Sequence, residues 1–174
     1  MANTIQPDRQ TVEQCLKNKT YYVDFYQREY VWNEETVLTL LTDIFDVFEQ
    51  SYLSCGDADL TPTTMDKNFS WYYLNVFITN KIDSKNFIVD GQQRLSTLTL
   101  ICTKLYHLTK NQDLKDLLVP CICGKNWTEN VYIIDHAKRA KAMDAIFKNE
   151  AFEGAYKNKT EEVLDEFIVK TNNK

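Results

Sequence analysis

The sequence predicts an α+β fold in which a small sheet packs on helices. Apolar residues recur every three or four positions over residues 37–48 and again over residues 95–108, which is the spacing of an amphipathic helix. Aromatic and β-branched residues are concentrated at residues 71–79 and 87–89, as in strands. With 174 residues, of which 44% are hydrophobic, the chain can bury one core, or one core with an extension.

The first two predicted helices begin at capping residues. Residues 11–16 predict a short helix capped by Thr11. Asn33 is a favoured N-cap, and the carboxylates of Glu34 and Glu35 suit the positive end of the helix that follows. Residues 21–32, with six aromatics among twelve, predict an extended segment and then a loop. We expect the apolar face of the Asn33 helix to be core: Val37, Leu40, Leu41, Ile44, Phe45 and Phe48.

The middle of the chain predicts a hairpin and then a long helix. Residues 54–68 are rich in Gly, Asp, Thr and Pro and predict a long polar loop. Two strands, at 71–79 and 87–89, are joined by a turn at 80–85. The helix that follows should run to about Thr109. Later patterns are weaker and predict, in order, a helix at 114–119 that ends at Pro120, an apolar run at 131–134, a helix at 137–147 and an amphipathic segment at 163–168.

Unusual chemistry lies where the second strand meets its helix. Asp90 suits the N-cap, with Gln93 as its capping-box partner, and Gly91 leaves room for a ligand or another backbone. Arg94 places a cation in the first helical turn, against the macrodipole, at a cost of about 0.3–1 kcal/mol. Arg94 therefore either contacts an anion bound at the helix N-terminus, through its planar fork of donors, or pairs with Asp90 or another carboxylate.

Two motifs resemble a known family. Residues 90–98 read Asp-Gly-Gln-Gln-Arg-Leu-Ser-Thr-Leu, which looks like the signature of a large bacterial domain family. That family includes the N-terminal part of GmrSD-type, modification-dependent restriction endonucleases. Residues 23–32, Val-Asp-Phe-Tyr-Gln-Arg-Glu-Tyr-Val-Trp, resemble its second motif, although Asp24 stands where Pro is usual. A further departure is Asn75, where a Gly is common.

The resemblance covers roughly residues 10–110, and it implies both a fold and a domain organisation. Residues 1–110 are expected to form a ParB/sulfiredoxin-like domain that carries both motifs. Residues 111–174 are expected to form a helical extension, truncated from a longer protein.

The resemblance also implies a nucleotide-phosphate site. In ParB/sulfiredoxin-like proteins the Gly-x-x-Arg part of such a motif, here Gly91 to Arg94, meets phosphate. Turn amides hold oxygens, a cation neutralises charge, and an amide side chain can position water. The implied catalytic residues are Asp90, Gln92, Gln93 and Arg94. The implied nucleotide-binding residues are Tyr26, Gln27, Arg28, Gly91 and Arg94.

The expected ligand is a nucleoside triphosphate with Mg²⁺. Asp90 is a candidate ligand of that ion, in competition with its capping role, and no separate metal site is predicted. In the alternative interpretation Arg28 pairs with Glu29 or Asp24, and Tyr26 packs in the core, as do Tyr30 and Trp32.

The implied function is a nucleotide-binding regulatory or sensor domain of a modification-dependent restriction or phage-defence protein, with nucleoside triphosphatase as a candidate activity. Its expected partners are a nucleotide, DNA through the full-length protein, and a C-terminal nuclease domain absent from this chain. The alternative is a non-catalytic module that keeps the fold and binds DNA or protein. A net charge of −5 favours protein over DNA. Nuclease activity in this domain rests on fold-level analogy alone.

Cysteine usage and hydropathy predict a cytoplasmic location. The five cysteines are odd in number and scattered, which suits a reducing compartment. The sequence contains no run of about 18 apolar residues, so no membrane span is predicted. The N-terminus lacks the pattern of a secretory signal. Cys121 and Cys123 lack the spacing of a zinc site.

Overall fold

The computed structural model of the chain describes residues 5–24, 27, 29–56, 60–125, 130–135 and 137–150. They form an α+β structure, as the sequence predicts. The described residues up to Tyr30 and from Phe77 onward form one compact unit, and residues 31–76 form a second. The elements in chain order are α1 (Val12–Leu16), β1 (Tyr21–Tyr22), α2 (Glu34–Ser54), α3 (Pro62–Asn68), β2 (Ile78–Ile82), β3 (Lys85–Asp90), α4 (Gln92–Leu108), α5 (Gln112–Ile122), β4 (Cys123–Lys125), β5 (Asn130–Tyr132), β6 (Ile134–Asp135) and α6 (Ala137–Lys148).

The main sheet of the first unit has the strand order β2-β3-β1-β6. β2 and β3 form an antiparallel hairpin, whereas β1 lies parallel to both β3 and β6. The hairpin turns at Asp83 and Ser84, which both have positive φ. Positive φ at both residues lets a two-residue turn match the twist of the two strands. β4 and β5 form a separate antiparallel pair. β3 therefore lies inside the sheet and runs directly into α4.

Most side chains of helix α4 between Gln92 and Thr103 are buried, polar as well as apolar. Thr97, Thr99 and Thr103 are buried, and each hydroxyl donates to the carbonyl four residues earlier, at 2.8–3.0 Å. These bonds satisfy hydroxyl groups that would otherwise be costly to bury. The predicted apolar face is only partly core, because Leu105 and Leu108 near the end of the helix are exposed.

Helix α2 of the second unit begins where the sequence predicts. The Asn33 side chain accepts a hydrogen bond from the Thr36 backbone N–H at 3.0 Å, as an N-cap should. The expectation that its whole apolar face is core is wrong for two residues: Phe45 and Phe48 are 37% and 44% exposed. Of the predicted face, Val37 and Leu41 are fully buried.

Two predicted segments of the second unit differ from the structure. The loop predicted at 54–68 contains helix α3, which Thr61 caps and Pro62 opens, a favoured helix start. The strand predicted at 71–79 is wrong over residues 71–77, which have no sheet partner; the strand begins at Ile78. Alternation of apolar residues sets which side chains can be buried together, but a strand also needs a neighbouring backbone.

Further along the chain, Pro120 lies inside α5 rather than ending it. It falls in the last turn, where it interrupts a single hydrogen bond, and its carbonyl accepts from the Asn18 N–H at 2.9 Å. The helix predicted at 137–147 is confirmed by α6. The amphipathic segment predicted at 163–168 lies outside the described residues. The boundary predicted at residue 110 stays a prediction; α4 and α5, on either side of it, belong to the same unit.

Candidate functional site

The turn between β3 and α4 is centred on Gly91. Its φ of 91° and ψ of 8° are left-handed, and it is the N-cap of α4, where a glycine has no side chain to bond the first amides of the helix. A residue with a Cβ is strained in this conformation. The prediction that Asp90 is the N-cap, with Gln93 completing a capping box, is therefore wrong. Asp90 is still part of β3, opposite Ile78 in the ladder, and is exposed.

Gln27 ties the upstream motif to the end of β3. Its side-chain amide nitrogen donates to the carbonyls of Ile88, at 3.2 Å, and Val89, at 3.0 Å. Its backbone N–H donates to the Asp24 carbonyl at 3.0 Å and closes a local turn. A single side chain thus links this turn to the strand that leads into Gly91, 64 positions along the sequence.

A second link starts from the helix. The buried Gln93 side chain donates to the backbone carbonyl of Glu29 at 3.0 Å. Four residues on, the Thr97 hydroxyl already donates to the Gln93 carbonyl, so it accepts from the Tyr30 hydroxyl, at 2.8 Å. Gln27, Gln93 and the Tyr30–Thr97 pair therefore hold the two motifs side by side.

A family model matches most of the chain. The model described as "GmrSD restriction endonuclease, N-terminal domain" matches residues 12–174, which include both motifs. The chain belongs to this family. No curated protein matches the chain. The resemblance seen in the sequence over residues 10–110 is thus confirmed, and the match extends it through residue 174.

Within this GmrSD-type domain the predicted site residues have different environments. Gln92 and Gln93 are buried, at 4% and 9% exposure, whereas Arg94, in the first turn of α4, is half-buried and Asp90 is exposed. Tyr26 and Arg28 lie outside the described residues. Their sequence neighbours Gln27 and Glu29 are both bonded to the β3–α4 region. The structure brings together Gln27, Gln93 and the strand that precedes Gly91.

Three contributors to the site escaped the sequence analysis: the carbonyl of Glu29, the hydroxyl of Thr97, and the bonding role of Tyr30, for which a packing role was the expectation. The available signal was Thr97, a polar residue in a helix otherwise rich in leucine. Its hydroxyl is fully buried and so requires hydrogen-bond partners. A carbonyl four residues earlier can satisfy such a hydroxyl, as it does for Thr97, Thr99 and Thr103, so the sequence does not reveal the additional bond between Thr97 and Tyr30.

One departure from the family pattern has a structural explanation. Asn75 stands where the family commonly has Gly, and its φ of 72° lies in the left-handed region. Asn is among the few non-glycine residues that tolerate this region, and its side chain accepts from the Val76 N–H at 2.7 Å. The substitution therefore keeps the backbone conformation that a glycine would allow.

Cysteine and metal chemistry receive little support from the described part of the chain. Burial raises the pKa of the Cys102 thiol to about 12, and burial also raises the pKa of Cys15 and Cys121. A thiol in that state is a poor nucleophile, because the thiolate is the reactive form. The described residues hold no group of three or more His, Cys, Asp or Glu side chains placed to bind a metal ion.

Among the helices of the described residues, none is both long and apolar enough to cross a membrane.

Proposed function

We propose that this chain is the nucleotide-binding regulatory domain of a restriction or phage-defence protein, and that the β3–α4 turn holds the phosphates of a nucleoside triphosphate. The observation that carries the proposal is the convergence of the two motifs. Gln27, Gln93 and the Tyr30–Thr97 pair join them at the N-terminus of a 17-residue helix that begins at a left-handed glycine.

The chemistry of this turn favours an anion. The first backbone N–H groups of a helix have no partner within it and lie at the N-terminus, which is the positive end of the dipole. Gly91 has no side chain that could cap them. Phosphate oxygens are suitable acceptors at such an end. Arg94, in the same first turn, adds a permanent positive charge and a planar set of donors that matches phosphate geometry.

The hydrogen bonds suggest how the roles divide. Gln93 and Gln27 each use the side-chain amide nitrogen to hold protein carbonyls, so we assign them to positioning the Tyr-Gln-Arg segment against the turn. Arg94 is the principal phosphate contact in this proposal, with Arg28 as a second cation and Tyr26 stacking on the base.

The exposed carboxylate of Asp90 fits the Mg²⁺ ion that accompanies a triphosphate, since carboxylate oxygen is a preferred ligand of that ion. DNA recognition and cleavage would then involve the rest of the full-length protein and its nuclease domain. The bound nucleotide would act on them through this domain.

The test is calorimetric titration of the folded chain with ATP, GTP, CTP and UTP, each with Mg²⁺. We expect saturable binding of at least one nucleotide, weakened by about tenfold or more in Arg94→Ala because a charge-assisted contact is lost. Arg94→Lys should be intermediate, since it keeps the charge and loses the fork. Lys110→Gln removes one exposed positive charge just beyond the C-terminus of α4, at the end of the helix opposite to the site. This variant should bind like the wild type.

Two results would contradict the proposal. One is the absence of binding by a chain that circular dichroism shows to be folded. The other is an equal loss of affinity in Arg94→Ala and Lys110→Gln, which would indicate bulk charge rather than a site. Release of inorganic phosphate, measured on the same samples, separates a nucleoside triphosphatase from a domain that only binds.

A further inference from the structure

Residues 31–76, the part of the second unit that contains described residues, are strongly acidic. This stretch contains eight Asp and Glu residues and a single Lys, although the chain as a whole carries 20 Lys and Arg. Over residues 31–56 there are five carboxylates and no cation. The acidity of the protein is thus concentrated in the unit that does not carry the β3–α4 turn. A field of one sign over such a surface attracts partners of opposite charge.

Exposed aromatic side chains lie on this same unit. Trp71 is 77% exposed, and Phe48 and Tyr52 of α2 are exposed as well. The rings of Phe48 and Tyr52 are stacked with their centroids 6.2 Å apart. Phe69 meets Phe48 edge to face at 5.3 Å. Three aromatic rings in mutual contact, with the exposed Trp71 two residues further along the chain from Phe69, exceed the scattered apolar groups that ordinary surfaces show.

The segment that carries Phe69 and Trp71 lies alongside α2. The Ser70 N–H donates to the Ser51 hydroxyl at 3.0 Å, and the Tyr72 hydroxyl donates to the Asp43 carboxylate at 3.0 Å. The segment therefore runs antiparallel to the helix, from Ser51 back toward Asp43. Phe69 is in ring contact with Phe48 of α2, and Trp71 lies between Ser70 and Tyr72, which are both bonded to α2.

Carboxylates border this surface along the helix. Phe45, Phe48 and Tyr52 follow a spacing of three and four residues, which places them in one row along α2. Asp46 and Glu49 are exposed. Each directly follows one of these aromatic residues in the sequence, so the two carboxylates form a second row next to the aromatic row. We call the set formed by Phe48, Tyr52, Phe69, Trp71, Asp46 and Glu49 the acidic aromatic surface.

We propose that the acidic aromatic surface docks a basic amphipathic helix of a protein partner. The apolar face of such a helix would cover the four rings, and its Lys and Arg side chains would contact Asp46 and Glu49. Arg and Lys also interact favourably with the face of an exposed indole or phenol ring, so Trp71 can recognise the same cations. Charge complementarity selects this occupant: phosphates of a nucleic acid would be repelled, and a two-fold contact with a second copy would bring together two surfaces of the same negative sign.

The experiment uses the full chain and a synthetic Lys/Leu peptide that forms an amphipathic helix. A Glu/Leu peptide with the same apolar pattern is the matched control. Binding is followed by tryptophan fluorescence and by calorimetry, and Trp71→Phe assigns the fluorescence change to this surface. We expect saturable binding of the Lys/Leu peptide, a spectral shift that disappears in Trp71→Phe, and no binding of the Glu/Leu peptide.

The decisive variants remove charge without changing side-chain shape. The double variant Asp46→Asn, Glu49→Gln should weaken binding of the Lys/Leu peptide by about tenfold, with a reduced dependence on salt. The double variant Asp113→Asn, Asp116→Asn on α5 changes the net charge equally, at exposed positions of the other unit, and should bind like the wild type. Circular dichroism verifies that each variant is folded.

Three outcomes would overturn the proposal. Equal affinity in the two double variants would show that bulk charge, rather than this surface, attracts the peptide. Binding of the Glu/Leu peptide as tightly as the Lys/Leu peptide would show that charge plays no part. A wild-type chain that sediments as a dimer, and that Trp71→Ser converts to a monomer, would assign the surface to a second copy of this chain.

Discussion

Ile88→Ala is expected to lower the free energy of unfolding by about 2–5 kcal/mol, because it removes buried methyl groups and leaves a cavity. Ile88 is fully buried and lies on β3, opposite Thr79 of β2. The same strand leads directly into the Gly91 turn. The measurement is urea denaturation followed by circular dichroism, with the transition of the first unit fitted separately if the two units unfold apart.

Val89→Ala is the matched control for this prediction. Val89 is the next residue of the same strand, but its side chain lies on the opposite face and is 44% exposed. Its truncation should cost well under half as much, since less apolar surface leaves water there on folding. Equal losses in the two variants would mean that Ile88 is not in a closely packed core.

Gln93→Glu is expected to destabilise the protein by about 3 kcal/mol at pH 8, because it places a carboxylate in a buried position opposite a carbonyl oxygen. In the wild type the Gln93 amide nitrogen donates to the Glu29 carbonyl at 3.0 Å. An ionised carboxylate has no proton to donate, so the link between the two motifs would be replaced by a repulsion. Affinity for a nucleotide, if it depends on this link, should fall with it.

Stability of this variant should depend on pH in a defined direction. Desolvation raises the pKa of a buried carboxyl in the folded state above its unfolded value of about 4.3. The folded protein then binds more protons than the unfolded chain between those two values, so stability falls as the pH rises. We expect the difference from the wild type to be smaller at pH 5 than at pH 8, in urea denaturation at both values.

Gln14→Glu makes the same chemical change at a position where it should be harmless. The Gln14 side-chain oxygen accepts a hydrogen bond from the Thr11 N–H at 2.8 Å, in the capping box of α1. A carboxylate accepts equally well there, is exposed, and lies at the positive end of the helix. A loss of stability in Gln14→Glu as large as that in Gln93→Glu would contradict the donor role assigned to Gln93.

Local signals in the sequence predicted several helix starts correctly. Thr11 and Asn33 cap α1 and α2, because a side chain three residues from its partner amide needs no help from the rest of the fold. The course of α4 was predicted almost to its last residue for a similar reason. Hydrogen bonds between residues four apart and a repeating apolar spacing lie within one stretch of chain.

The start of α4 shows where local signals fail. Asp90 is as good a capping residue as Asn33, yet β3 continues through it because its ladder partner Ile78 lies alongside. Pairing with the neighbouring strand of the hairpin thus outweighed the local preference for a cap. The helix begins instead at Gly91, which has a left-handed backbone; glycine is also an acceptable N-cap, but the cap rules rank Asp above it.

By itself, the sequence determined the α+β class, the main helices and the family, since all three depend on patterns of residues close together in the chain. Only the tertiary structure decided that Gln27 and Gln93 join the two motifs. Their acceptors are carbonyls 61 to 64 residues away in the chain. Every residue carries a backbone carbonyl, so no residue type marks the ones that will be used. The choice is made when β3 and α4 bring particular carbonyls within reach of a buried amide.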